Sequence, residues 1–450
     1  MPVLPFMLSA AGNISHEGSL TPDNAPPSFL KTYGPRLLLA LISLLMVSDF
    51  VLRGLTLAFE PAKTDFSDVY AGAWLWRHGQ NFYDSALATR AHEQLVHASF
   101  QIAPVYPPTA FVLVSPFTFL PWGWANFIWL SLGLAGIPAT LFLLLRLRGP
   151  EGWDLRTWNL RTTAFATLFL SFNPLHQAFH LGNSALLVVP LCLGAISLAE
   201  AGHDLSAGLI LGTAAALKPQ VAFWILIYYL FRRRAKLLVG AVVPVAVLMA
   251  IFFTRAVALS TVIASYRANL HFWFAPGRPD GFTEGARPYH VNMIQVVLYQ
   301  IVHSVSAANL LAHGLFVCGL VIWILILWRA RFHASFALAI SSLLALSFLS
   351  MYHSVSDVTF LTLALCWAVP VEPRSWTRSR IWTCALFLVM TLPGHSALMR
   401  FSPHLGAITA LWWWHLFVER YFVWLLLVLN LVLLASLSNS AAEMREQAPA

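Results

Sequence analysis

Long apolar stretches recur from one end of this chain to the other, near residues 36–58, 124–146, 162–180, 184–200, 235–254, 308–329, 334–351, 381–398 and 421–438. No other feature narrows the possible folds as far. Each stretch is long enough, or nearly so, for an α-helix to cross about 30 Å of hydrocarbon. Inside a bilayer every backbone N–H and C=O must find its partner within the protein, so only helical bundles and closed barrels can span it. The alternating polar pattern of barrel strands is missing from these runs. The chain is therefore expected to be an all-α polytopic membrane protein. Shorter apolar runs at 103–121, 205–217, 220–231, 290–306, 358–371 and 405–418 suit tilted, half-length or re-entrant helices. Together they give about 11–14 helical segments.

Composition excludes the main soluble alternatives. Hydrophobic residues make up 58% of the chain and charged residues 10%, whereas soluble domains carry about 25% charged residues. The net charge of +8 is explained by membrane orientation, and no nucleic-acid partner is expected. Arg232, Arg233, Arg234 and Lys236 form one basic cluster, Arg329 and Arg331 a second, and Arg374, Arg378 and Arg380 a third. Each lies at the end of an apolar run, which the positive-inside rule places in the cytoplasm. The N-terminus lacks the charged start and apolar core of a signal peptide. The four cysteines all fall within apolar runs, so neither a disulfide framework nor a zinc site is expected.

These signals predict a cytoplasmic tail at 1–35, a transmembrane domain at 36–438 and a cytoplasmic tail at 439–450, in the cytoplasmic membrane. The polar loop 60–106, a second polar loop at 255–290 and the turn 352–357 then share the extracytoplasmic face. One stretch resists this scheme. If both runs between 103 and 146 cross fully, the basic linker 146–161 falls outside, so either one run is re-entrant or the rule is locally broken.

The first external loop is the first long segment that must meet water, and it carries Asp65, Asp68 and Tyr70. A carboxylate partly desolvated beside a membrane gains basicity and suits proton abstraction. Asp is also a favoured helix N-cap, and that role for Asp65 stays open. Asp68 lies one helical turn on, and its alternative is a solvated surface carboxylate. Residues 88–100 place Ala91, Leu95 and Ala98 near one face, as in a helix lying on a membrane surface. Lys218 stands between two apolar half-segments, where an ionisable group is costly and suggests function, although a lysine at a hairpin turn can also snorkel to water. Pro219 breaks the helix beside it. The 255–290 loop has a basic excess, including Arg267 and Arg287, with aromatic neighbours suited to a sugar or isoprenoid. An arginine there can grip a phosphate bidentately or bind lipid headgroups. His353 and Asp357, four apart, share a face if their turn is helical. They either orient a substrate or cap the hairpin. Asp49 and Arg53, also four apart, read as a mutually neutralising pair. No Walker-type phosphate loop, paired metal-ligand histidines or Gly-x-Ser-x-Gly element appears.

Asp65-Phe66 followed by Tyr70, then Tyr106-Pro107-Pro108 with Pro116-Phe117 and Leu120-Pro121, resembles glycosyltransferase family 87. The resemblance continues through Gly182-Asn183-Ser184, where the family usually has Gly-Gln, and Leu217-Lys218-Pro219-Gln220, which matches its Lys-Pro-Gln element. It covers residues 60–235 best. It implies a GT-C type transmembrane bundle that transfers a hexose, most plausibly mannose, from a polyprenyl-phosphate sugar to a lipid or glycan acceptor on the extracytoplasmic face. It also implies inversion at the anomeric carbon, with Asp65 as general base and Asp68 as second candidate. Lys218, His353, Arg267, Arg287, Tyr70, Tyr106 and Asn183 become candidates for the donor phosphate or substrate. The donor arrives activated, so no cofactor or metal is expected, and membrane lipids are the remaining partners. A transporter or flippase of lipid-linked sugar is the rival reading; it would call for inverted repeats, and none is evident. An inactive relative acting as a binding subunit is a third.

Overall fold

A computed structural model of the chain describes residues 65–98, 101–149, 160–255, 258–275, 292–330, 334–370, 375–391 and 401–447, with isolated positions between 34 and 51 and at 281, 283 and 398. The expected N-terminal tail, Arg287 and the Asp49–Arg53 pair lie outside the described residues. Among the described residues the fold is all α, as the apolar runs predicted.

Among the described residues, four helices are long and apolar enough to cross a membrane: α4 (Trp122–Leu147), α10 (Ala235–Phe253), α13 (Val305–Arg329) and the apolar part of α17 (Tyr421–Gln447). Seven shorter apolar helical segments pack among them. The ambiguous 103–146 region resolves by length. It consists of α3 (Pro108–Val114), a 3-10 turn over Ser115–Phe119, and then the full-length α4. At about 1.5 Å per residue, α3 covers only about 10 Å, far short of a bilayer. Pro107 and Pro108 start α3 where the missing N–H costs nothing.

The polar stretch 60–106 is largely helical where it is described. It holds α1 (Asp65–Arg77) and α2 (Ser85–Val96), and α2 starts at Asp84, whose carboxylate accepts from the N–H groups of Ala86 and Leu87. The predicted surface helix thus exists, but Ala88 and Ala91 are buried, with α2 packed on α1. His92 on the same face meets Ser67 Oγ at 2.9 Å. The face of Ala91, Leu95 and Ala98 expected to lie on the membrane surface packs on an apolar cluster of the protein. The second loop also differs from expectation, since 259–274 forms helix α11 (Leu259–Phe274). Its arginine-rich surroundings suggested a loop, yet Asn269 turns inward and donates to the carbonyls of Tyr83 and Pro104. The run at 405–418 gives 3-10 turns and a π turn in place of a regular helix. α17 continues through the expected tail as far as Gln447.

Between these come α5 (Leu160–Leu170), α6 (Asn173–His180), α7 (Ala185–Glu200), α8 (Asp204–Leu217), α9 (Pro219–Phe231), α12 (Ile294–Val302), α14 (Phe336–Ser350), a 3-10 segment Val355–Thr362, α15 (Leu363–Ala368) and α16 (Arg378–Thr391). Among the described residues α8 packs most extensively on α10. Gly208-x-x-x-Gly212 lets the two backbones touch: a methyl group at Gly212 would lie 2.2 Å from the Ala241 carbonyl oxygen. One large apolar cluster fills the bundle, and a second, built on Phe66, Phe82, Phe111 and Trp129, supports α1 and α2. Tyr106 packs against both, and the polar site lies at this seam.

Candidate functional site

Two helix ends build the site. The first is the C-terminus of α6. There the Gly182 N–H bonds the Phe179 carbonyl and the Asn183 N–H bonds the Ala178 carbonyl, the Schellman arrangement that closes a helix through a left-handed residue. Gly182 supplies that residue at φ +57°, a conformation that costs a side-chain-bearing residue about 1–2 kcal/mol. The turn then presents three groups in succession. The Leu181 carbonyl accepts from the Asp65 N–H at 2.7 Å, the Gly182 carbonyl accepts from Trp129 Nε1 at 2.8 Å, and the Asn183 side chain reaches Asp65. α1 is anchored further by Phe66, which stacks on Trp129 with ring centroids 4.4 Å apart.

The second is the break between α8 and α9. Lys218 leaves the helical region, with φ −147° and ψ 77°, as expected of a residue before proline, where the α conformation is disfavoured. The α8 end leaves the Ala216 carbonyl for another donor, and Thr109 Oγ1 on α3 takes it at 2.6 Å. The break turns the lysine inward: Lys218 is only 5% exposed.

These ends bring together a continuous string of polar side chains. Asn183 Nδ2 donates to Asp65 Oδ2 at 2.5 Å. Lys218 Nζ donates to Asn183 Oδ1 at 2.8 Å and pairs with the Asp357 carboxylate. His353 Nδ1 lies 3.3 Å from the other oxygen of Asp357. Asp357 and His353 are 1% and 0% exposed, and His353 Nε2 has no hydrogen-bond partner among the described residues. Five residues from four stretches of sequence thus share one buried network.

Beside it opens a cleft lined by Asp65, Phe66, Val69, Tyr106, Ala110, Val114, Trp129, Gly182, Ser184 and Leu217. Ser184 Oγ has no partner among the described residues and borders this space. Asp68 differs from its neighbour Asp65. Burial first, and the charge of Asp65 second, push its carboxyl up to about 8, which favours its protonated form at neutral pH. Burial and the nearby carboxylates also raise the Tyr106 phenol well above its ordinary value.

Of the residues singled out from sequence, the network therefore unites Asp65, Asn183, Lys218 and His353, with Tyr106 on the cleft wall. Tyr70 is not brought there; its hydroxyl donates to the Leu120 carbonyl at 2.8 Å and its ring packs on Trp122. Arg267 sits on the exposed face of α11. Asp357 is the residue that sequence reasoning valued too little, pairing it with His353 alone. The available signal was Lys218 itself, since a buried lysine calls for a carboxylate.

A model of glycosyltransferase family 87 matches residues 105–354, more than half of the chain. Curated relatives include the alpha-(1->3)-arabinofuranosyltransferases of Mycobacterium tuberculosis strains CDC 1551 / Oshkosh and ATCC 25618 / H37Rv. Each is 26% identical over 200 residues, covering 42% of this chain and 43% of the relative. The chain thus matches less than half the length of these relatives. Among solved structures, ArnT from Cupriavidus metallidurans bound to undecaprenyl phosphate aligns with a TM-score of 0.35 at 15% identity, covering 91% of this chain and 78% of that one. Its apo form aligns with a TM-score of 0.35 at 14% identity, covering 88% and 77%.

Proposed function

The chain belongs to glycosyltransferase family 87, and on that premise we propose that it transfers a sugar from a polyprenyl-phosphate donor to a lipid or glycan acceptor at the extracytoplasmic face of the cytoplasmic membrane. The observation that carries this reading is the position of Asp65, held by Asn183 at the edge of the cleft. Asp65 takes the proton of an acceptor hydroxyl as that oxygen attacks the anomeric carbon. The bond from that carbon to the phosphate oxygen breaks on the opposite face, and polyprenyl phosphate leaves with the electron pair. One displacement of this kind inverts the anomeric configuration. Asp68, protonated at neutral pH, is the reserve carboxyl rather than the base.

The sugar is a choice between two classes. Family resemblance favours a hexose, most plausibly mannose, while the curated relatives are named for arabinofuranosyl transfer. Purified protein in liposomes is therefore given radiolabelled polyprenyl-phosphate mannose or polyprenyl-phosphate arabinose with a crude lipid acceptor, alongside Asp65→Asn. Wild-type transfer from one donor, lost in the variant, is expected. Transfer that survives in the variant removes Asp65 as base. Faster movement of the donor lipid between leaflets without transfer would favour the flippase.

A further inference from the structure

The amide of Asn183 is oriented by its partners. Its Oδ1 accepts from both Lys218 Nζ and the Ala185 N–H, each at 2.8 Å, so both lone pairs of that oxygen meet donors. Exchanging the oxygen and nitrogen would set an NH₂ group against an ammonium and an amide N–H. The hydrogen-bond network therefore fixes the assignment, and Nδ2 must face Asp65 Oδ2. An oxygen that accepts this N–H favours the ionised carboxylate.

Lys218 is equally committed. Its charge is matched by Asp357, which His353 holds from the other side. Leu217 and Ser184, the chain neighbours of Lys218 and Asn183, line the cleft, while Lys218 and Asn183 are buried behind that wall.

We propose that Asn183 is the positioning residue of the Asp65 carboxylate, locked by Lys218 and Ala185, and that Lys218 serves as an internal counter-ion of this network rather than as a ligand of the donor phosphate. The proposal deepens the reading of Asp65 as base and rests on it for its catalytic consequence. Several titratable groups bear on Asp65. Asp68 lies on its own helix, Tyr106 on the segment leading into α3, and Lys218 and Asp357 stand behind Asn183. From α2, His92 faces Ser67.

The test compares Asn183→Leu, Asn183→Gln and Lys218→Met with wild type in two measurements. The first needs no substrate: the Asp65 carboxylate band is isolated by infrared difference against Asp65→Asn and titrated. In Asn183→Leu its midpoint is expected to rise by about one to two pH units, the worth of one hydrogen bond to a charged acceptor. Lys218→Met shifts it less, in the same direction, and Asn183→Gln returns it toward wild type. The second measurement is transfer from the labelled polyprenyl-phosphate sugar that wild type uses. The acid limb of the kcat profile moves with the infrared midpoint, and donor KM stays within about threefold in all three variants. An unmoved midpoint in both Asn183→Leu and Lys218→Met overturns the proposal. So does a roughly tenfold rise in donor KM at unchanged kcat in Lys218→Met. Should Asn183→Leu fail to fold, Lys218→Met and Asn183→Gln still decide the matter through the midpoint. If Asp65→Asn transfers sugar normally while the midpoint shift is present, the base assignment fails and the positioning of Asp65 stands.

Discussion

Removing Lys218 strands a carboxylate in the interior of the bundle. Asp357 is 1% exposed and its two oxygens meet only Lys218 and His353 among the described residues. Cutting a buried ion pair on one side costs about 3–5 kcal/mol, because the remaining charge has lost both water and its partner. Lys218→Met should therefore cost about that much, and Asp357→Leu alone a similar amount, since it leaves the ammonium stranded. The double variant Lys218→Met/Asp357→Leu removes both charges and should recover to within about 1–2 kcal/mol of wild type, the residue being the hydrogen bond lost at Asn183. Unfolding by SDS titration in mixed micelles, followed by circular dichroism, supplies the four free energies of the cycle. A coupling of several kcal/mol is expected. If the two single losses simply add, or each stays below about 1 kcal/mol, the pair is not the buried counter-ion arrangement described here.

Three further outcomes follow from the same geometry. Asp68→Asn should remove part of the pH dependence of stability between about pH 4 and 8: the folded carboxyl is raised from 3.8 to about 8, so the folded state holds a proton there that the unfolded chain has lost, and wild-type stability falls as pH rises through this window. SDS unfolding at pH 5 and pH 8 checks it, and a variant with wild-type slope refutes it. Gly182→Ala forces a side chain into the left-handed region and should cost about 1–2 kcal/mol, with a larger loss of transfer activity than of stability because Asn183 is displaced. Gly212→Val places a side chain against the Ala241 carbonyl at 2.2 Å and should separate α8 from α10, costing about 1–3 kcal/mol or more in the same unfolding assay.

The helical bundle was legible because hydrocarbon leaves backbone groups no other solution, and the break at Lys218-Pro219 was legible because proline removes a donor and restricts its predecessor. What sequence could not convey is which face of a short helix meets protein and which meets lipid. Both are apolar partners, so the Ala91, Leu95 and Ala98 face reads as a membrane contact when it packs on the second apolar cluster. The arginines near α11 masked a helix for the opposite reason: exposed charge reads as loop, while the buried Asn269 that anchors this helix gives no periodic signal. At the site, single residues were visible one by one, since each was a polar group in an apolar setting. Their connection was not, because Asp65, Asn183, Lys218 and Asp357 are separated along the chain and join only when α6 ends against α1 and α8 ends against α3.

The two carboxylates of α1 illustrate what that connection adds. Asp65 and Asp68 have the same chemistry and lie one turn apart, so sequence could rank them only by resemblance to a family. The fold ranks them by their neighbours. Asp65 receives the Asn183 amide, whereas one oxygen of Asp68 is buried with no partner among the described residues. Two adjacent carboxylates repel one another, and Asp68 keeps the proton despite its hydrogen bond with Ser67, because burial first and the charge of Asp65 second disfavour its ionised form. Asn183 therefore does more than hold Asp65 still: by stabilising the first ionisation there, it raises the cost of a second one turn away. The same bridge adds the charge of Asp65 to the burial that already favours the proton on Asp68, and removing it with Asn183→Leu should bring the two titrations closer together.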